Sequence, residues 1–161
     1  MNSFISKLLM LLLITFSASA QTTSTIAGKW KVKAVDNGVI CDYKTNTIGV
    51  KSELTVSLTG NPDSLKVIEL FTYVAKSYLD YIFYFHKDGI YEEIQNGEKR
   101  NPLASYYLNE AEHLVNIRPA KDDPAAELQS MMYDLSKDGI LTLTLAAKDK
   151  KMVLSLEKMD E

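Results

Sequence analysis

Cysteine is all but missing from this chain of 161 residues. Cys41 stands alone, so no internal disulfide can form and the core must hold without staples. A lone thiol reads either as a reactive or intermolecular group or as a small buried residue, and burial is the expectation here. Histidine is nearly as scarce, with His86 and His113 only. No HExxH, CxxC or DxDxDG run is present to gather ligands around a metal, so no metal site and no cofactor are expected. The few glycines form no phosphate-cradling loop, dinucleotide fingerprint or nucleophile elbow. No excess of basic residues offsets the acidic ones, and the net charge is −3. A nucleic-acid footprint is therefore not expected. Nor is there a run of roughly 20 apolar residues, the length that spans a bilayer.

A shorter apolar run does stand at the N-terminus. Lys7 precedes Leu8–Ile14, and Ala18-Ser19-Ala20 follows with the small-x-small spacing that signal peptidase accepts. Residues 1–20 read as a signal peptide, with Gln21 as the mature start and a secreted or periplasmic destination. No cysteine follows the apolar run to take a lipid, so no membrane anchor is expected. Residues 21–161 suit one domain of ordinary size.

The mature part alternates. Gly28–Asp36 reads GKWKVKAVD, with Trp30, Val32 and Ala34 on one face and three lysines on the other, the period of a half-buried strand. Residues 37–60 are polar and Thr-rich; the alternation of Leu54, Val56 and Leu58 suggests a short strand. Over 63–79, Leu65, Ile68, Phe71, Ala75 and Tyr78 recur at steps of three and four, widened by Val67, Leu70, Val74 and Leu79. That spacing predicts one amphipathic helix capped by Asp63 or Asn61. Strands follow at 81–86, 90–95, 104–108, 113–118, 131–136, 140–146 and 152–158. Two hairpins share the turn Lys-Asp-Gly (87–89 and 137–139), where Lys-Asp suits a type I turn and glycine a left-handed bulge. The flanking residues do not match, so the recurrence reads as convergence on a good turn. The polar stretch 119–128 reads as a surface loop or short helix. Eight strands in meander order are enough to close an up-and-down barrel; an α+β fold with an open antiparallel sheet is the alternative.

The Gly28-Lys29-Trp30 triplet on a first strand after a secretion signal resembles the GxW signature of the lipocalin and wider calycin group. The meander ending in Leu154-Ser155-Leu156-Glu157-Lys158 is similar to small bacterial lipocalin-like domains. The resemblance implies a floor built from Gly28, Trp30 and a basic residue, here Lys158 where lipocalins usually carry arginine. It also implies a non-enzymatic binder of a small, largely apolar ligand. The helix departs from the family layout by following the first strand and not the eighth.

Within that frame the ring-bearing strands supply the candidate ligand-binding residues Tyr84, Tyr91, Glu92 and Tyr106. Phenol rings offer an apolar body with a polar tip, suited to a small hydrophobic or amphipathic molecule, and equally to packing beneath the helix. Glu92 and Glu93 are adjacent, so only one faces inward. If Ile90 and Ile94 are inside, it is Glu92, either to orient a polar or cationic ligand head or to sit at a wet rim. His86 and His113 flank turns, where solvated imidazoles are common, and no catalytic residue is expected. A protein-interaction or inhibitor domain with a filled barrel remains the other reading, its partner unspecified.

Overall fold

The computed structural model describes residues 25–100, 104–119, 128–147 and 150–160. The export signal and mature start, most of 119–128 and the connection at 148–149 lie outside the described residues. The chain is mainly β, and eight of its strands close into an antiparallel barrel. These are β1 (Gly28–Asp36), β4 (Tyr81–Phe85), β5 (Ile90–Gln95), β7 (Ala104–Asn109), β8 (Leu114–Arg118), β9 (Gln129–Leu135), β10 (Ile140–Ala147) and β11 (Lys150–Lys158). Each pairs with the next, and β1 closes the ring on β11, with Trp30 opposite Lys158 and Asp36 opposite Val153. That last pairing removes the open-sheet alternative.

Both Lys-Asp-Gly turns form as their chemistry requires. Gly89 and Gly139 take φ of 85° and 77°. Each donates its N–H to the carbonyl three residues back, His86 at 3.1 Å and Ser136 at 3.0 Å.

The stretch 37–60 departs from expectation. It holds a hairpin of β2 (Val39–Asp42) and β3 (Thr47–Val50), then a short helix α1 (Ser52–Ser57) where a strand was expected. Leu54 and Leu58 are four apart, so on a helix they share a side, while Val56 points to solvent at 72% exposure. A further two-residue strand, β6 (Glu98–Lys99), pairs with β5.

The long helix, α2, runs Ser64–Ser77. Asp63 is its N-cap residue but makes no side-chain cap bond. Its carboxylate takes Lys66 at 2.8 Å instead, and Asn61 Oδ1 accepts the Asp63 N–H at 2.9 Å. Ile68, Phe71, Ala75 and Tyr78 face the core, whereas Leu65, Leu70 and Leu79 of the expected stripe are exposed.

Four ties place α2 across one end of the barrel. Asn37 Nδ2 donates to the Phe71 carbonyl at 2.9 Å, and the Tyr43 hydroxyl donates to that of Ala75. Gln95 Nε2 reaches the Ser77 carbonyl at 2.5 Å, and the Tyr78 and Tyr81 rings meet at 5.3 Å. The opposite end is closed by Trp30, whose indole N–H donates to the Ile26 carbonyl at 2.7 Å.

Candidate functional site

Inward residues from all eight barrel strands belong to one buried cluster. It runs from Trp30, Val32 and Val35 through Phe83, Phe85, Tyr91, Tyr106, Ile117 and Met131 to Leu141, Leu143, Leu154 and Leu156. Apolar side chains thus occupy the described lumen. Its aromatic wall is continuous, with Phe85 5.2 Å from Tyr91 and edge-on to Tyr106 at 5.0 Å between ring centres.

The four expected ligand residues divide between two faces. Tyr91 and Tyr106 point inward and are buried at 1% and 3% exposure. Tyr84 and Glu92 pair with each other on the outer face, since Phe83 pairs with Glu93 and Phe85 with Tyr91 on the inner one. The expectation that Glu92 faces the lumen is therefore corrected. Tyr91 takes the inward position that Ile90 and Ile94 were expected to mark, because its ring contributes more buried apolar area to the core. The inward carboxylate is Glu93. It accepts the Tyr81 hydroxyl at 2.8 Å and the Tyr91 hydroxyl at 2.7 Å, so both phenols are satisfied near the helix-covered end. Burial first, and Glu93 second, raise the pKa of Tyr81 and of Tyr91 well above the ordinary phenol value.

Outside, Glu92 is covered without being deep. Its cover is made of side chains, with Lys99 Nζ at 2.5 Å, His86 Nε2 at 3.6 Å and the His86 ring stacked on Tyr84 at 3.6 Å. The Lys99 ammonium outweighs desolvation and, with a smaller contribution from His86, holds the Glu92 carboxyl below its ordinary value. This arrangement ties β6 to β5. Cys41 is buried at 1% exposure, and burial raises its thiol against a smaller opposing effect of Lys76. Among the described residues no group of three or more His, Cys, Asp or Glu side chains could hold a metal ion.

A site that sequence reasoning missed lies at the helix-covered end. Between α2 and the β10–β11 hairpin runs a groove of about 340 Å³, lined by Leu70, Phe71, Val74, Leu145 and Met152, with Asn37 and Lys151 as its polar members. Phe71, Leu145 and Met152 also pack against the barrel core. Leu145 pairs with Met152, continuing the inward row of Leu143 and Leu154 beyond the filled lumen. The Asn37 amide is spent on holding the helix, its Oδ1 accepting from the Val39 N–H at 3.1 Å. Lys151 has no ion-pair partner among the described residues. In the sequence, the exposed apolar face of α2 was the available signal, yet its opposing wall sits some seventy residues on and no local pattern joins the two.

No family model matches the chain, and no curated protein matches its sequence. Among solved structures it is similar to a DUF4847 family protein from Bacteroides vulgatus ATCC 8482, with 16% identity over 86% of this chain and 99% of that one and a TM-score of 0.44.

Proposed function

We propose that the protein is an exported, non-enzymatic binder of a small, largely apolar molecule, taken up in the groove between α2 and the β10–β11 hairpin and not in the lumen. The observation that carries this reading is the groove's lining: five apolar side chains face one another across an opening of about 340 Å³, within the range of small-molecule sites. The lysine at its rim favours a ligand whose polar end is neutral or anionic over a cationic one. Leu70, at 58% exposure, is the wall residue whose replacement least disturbs the fold.

Thermal shift with medium-chain alcohols and carboxylic acids tests the proposal. A ligand that binds only the folded form stabilises it by about 2.7 kcal/mol at a hundredfold excess over Kd. The parent should show the shift and Leu70→Glu should lose it while melting near the parent temperature without ligand. An unresponsive parent, or a variant that responds equally, defeats the groove. The filled lumen favours a second reading, a protein-interaction domain working through its surface, which gains in either of those outcomes.

A further inference from the structure

The strand order of the sheet ends at β3. Among the described residues nothing pairs with its outer edge. The direction of its free backbone groups follows from the ladder. Lys51 donates its N–H to the Gly38 carbonyl at 2.9 Å, and the pairs Val39–Val50, Ile40–Gly49, Cys41–Ile48 and Asp42–Thr47 follow in register. Antiparallel pairs alternate between bonded and non-bonded. Thr47 and Gly49 therefore spend their N–H and C=O groups on β2, and those of Ile48 and Val50 point out of the sheet. The β1–β2 ladder agrees: Tyr43 donates to Lys33 at 2.8 Å, which turns the backbone of Cys41 toward β1 and that of Ile40 toward β3.

Proteins normally guard such an edge by keeping it short, as the four residues of β3 are, or with charge, proline, a bulge or a covering element. Thr47-Ile48-Gly49-Val50 carries neither charge nor proline, and all four residues are exposed. Ile48 and Val50 are 52% and 42% accessible. The adjoining Lys51 is turned to Asp36 on β1, at 2.5 Å.

We infer that β3 is the self-association edge of this protein, pairing antiparallel with β3 of a second copy about a twofold axis at Gly49. The register is self-complementary. With Gly49 opposite Gly49, Ile48 falls opposite Val50 and Val50 opposite Ile48. Those are the residues whose N–H and C=O groups are free, so both pairs exchange hydrogen bonds in both directions. The same register sets isoleucine beside valine on one face, a favourable cross-strand combination, and places no like charges opposite each other. At the axis, glycine leaves room: a Cβ built there meets nothing within 4 Å. Such an isologous contact closes on itself and stops at the dimer.

Sedimentation across a range of concentrations should find a reversible monomer–dimer equilibrium. Val50→Pro removes an outward N–H without touching the bonds to β2, and Ile48→Lys places charge on the edge. Each should weaken self-association by roughly tenfold or more, the combined loss of a hydrogen bond and an apolar pair. Gly49→Cys should give a disulfide-linked dimer under mild oxidation, because non-bonded pairs bring their Cα atoms to about 4.5 Å, within disulfide reach. The parent, with only its buried thiol, should not cross-link. A parent that stays monomeric together with a Gly49→Cys variant that does not cross-link overturns the inference. So does a dimer indifferent to both edge variants, or an edge that protects its amides from exchange only when a foreign extended peptide is added.

Discussion

The Lys158 ammonium stands 5.6 Å from the centre of the Trp30 ring, and the two residues are register partners across the seam where β11 closes on β1. The same lysine chain runs past Gly28. A Cβ at Gly28 would come within 2.7 Å of Lys158 Cε, and its φ of +134° lies where side chains are strained. Gly28, Trp30 and Lys158 thus pack against one another at one end of the barrel.

Trp30→Ala should destabilise the fold by about 3–5 kcal/mol, the usual cost of deleting a buried aromatic, measured by denaturant unfolding. Lys158→Met should cost only about 0.5–2 kcal/mol, the worth of a cation over a ring. Gly28→Ala should fall between them. Adding Lys158→Ala should recover little of that loss, since the lysine tip can swing clear of the new methyl while the backbone strain remains. A Trp30→Ala protein that unfolds like the parent would remove the floor from its structural role.

At high pH the buried phenols should fail in sequence. Burial, with a smaller effect of Asp88, pushes Tyr106 up to about 12 from an ordinary 10.0, and its hydroxyl donates to the His86 carbonyl at 2.9 Å. The folded state favours the neutral phenol, so its contribution is complete below pH 10 and is lost as pH rises through about 12. Melting temperature followed from neutral to strongly alkaline pH should fall in that window. Tyr106→Phe should make the fall shallower, leaving the part due to Tyr81 and Tyr91, whose shifts run the same way.

The meander was legible where local chemistry decides conformation. Lys87-Asp88-Gly89 and Lys137-Asp138-Gly139 carry turn chemistry of their own. Gly28–Val32 alternates with the period of a strand, but a bulge between Val32 and Ala34 turns Val35 inward in place of the expected Ala34. Position Tyr91 was not legible, because isoleucine and tyrosine compete for the inside of β5 and the outcome depends on Phe85 and Tyr106, which lie on other strands. The α1 segment misled for a related reason. Leu54, Val56 and Leu58 carry a period of two, but an apolar step of four between Leu54 and Leu58 satisfies a helix equally well. The groove is nonlocal in principle, built from α2 and a hairpin far along the chain.

Asn37 tests how firmly α2 is held. Its side chain bridges the Val39 N–H and the Phe71 carbonyl, joining the β1–β2 turn to the helix. Asn37→Ala should cost about 1–2 kcal/mol, the range for a partly buried hydrogen bond whose partners lose an option. The loss should be local, so hydrogen exchange of the α2 amides should quicken while that of β10 and β11 holds. Uniform quickening would mean that the turn, and not the helix, depends on Asn37.

The two adjacent glutamates should separate cleanly when each is replaced. Glu93 accepts two phenols inside the barrel end, and Tyr91, at 1% exposure, has no water to turn to. Glu93→Leu removes both acceptors, and a buried donor left unmade costs about 1–3 kcal/mol. Glu92 has its charge compensated on the outer face by Lys99, itself 62% exposed, and exposed pairs contribute about 0–1 kcal/mol. Glu92→Gln should therefore unfold almost like the parent. What small difference there is should vanish in acid, because the lowered carboxyl of Glu92 supports the parent above its ordinary value of 4.5 and ceases to do so as pH falls through the folded value. Side-by-side urea unfolding of the two variants at neutral pH is the decisive measurement. A larger loss for Glu92→Gln than for Glu93→Leu would mean that the inward face of β5 is the other one.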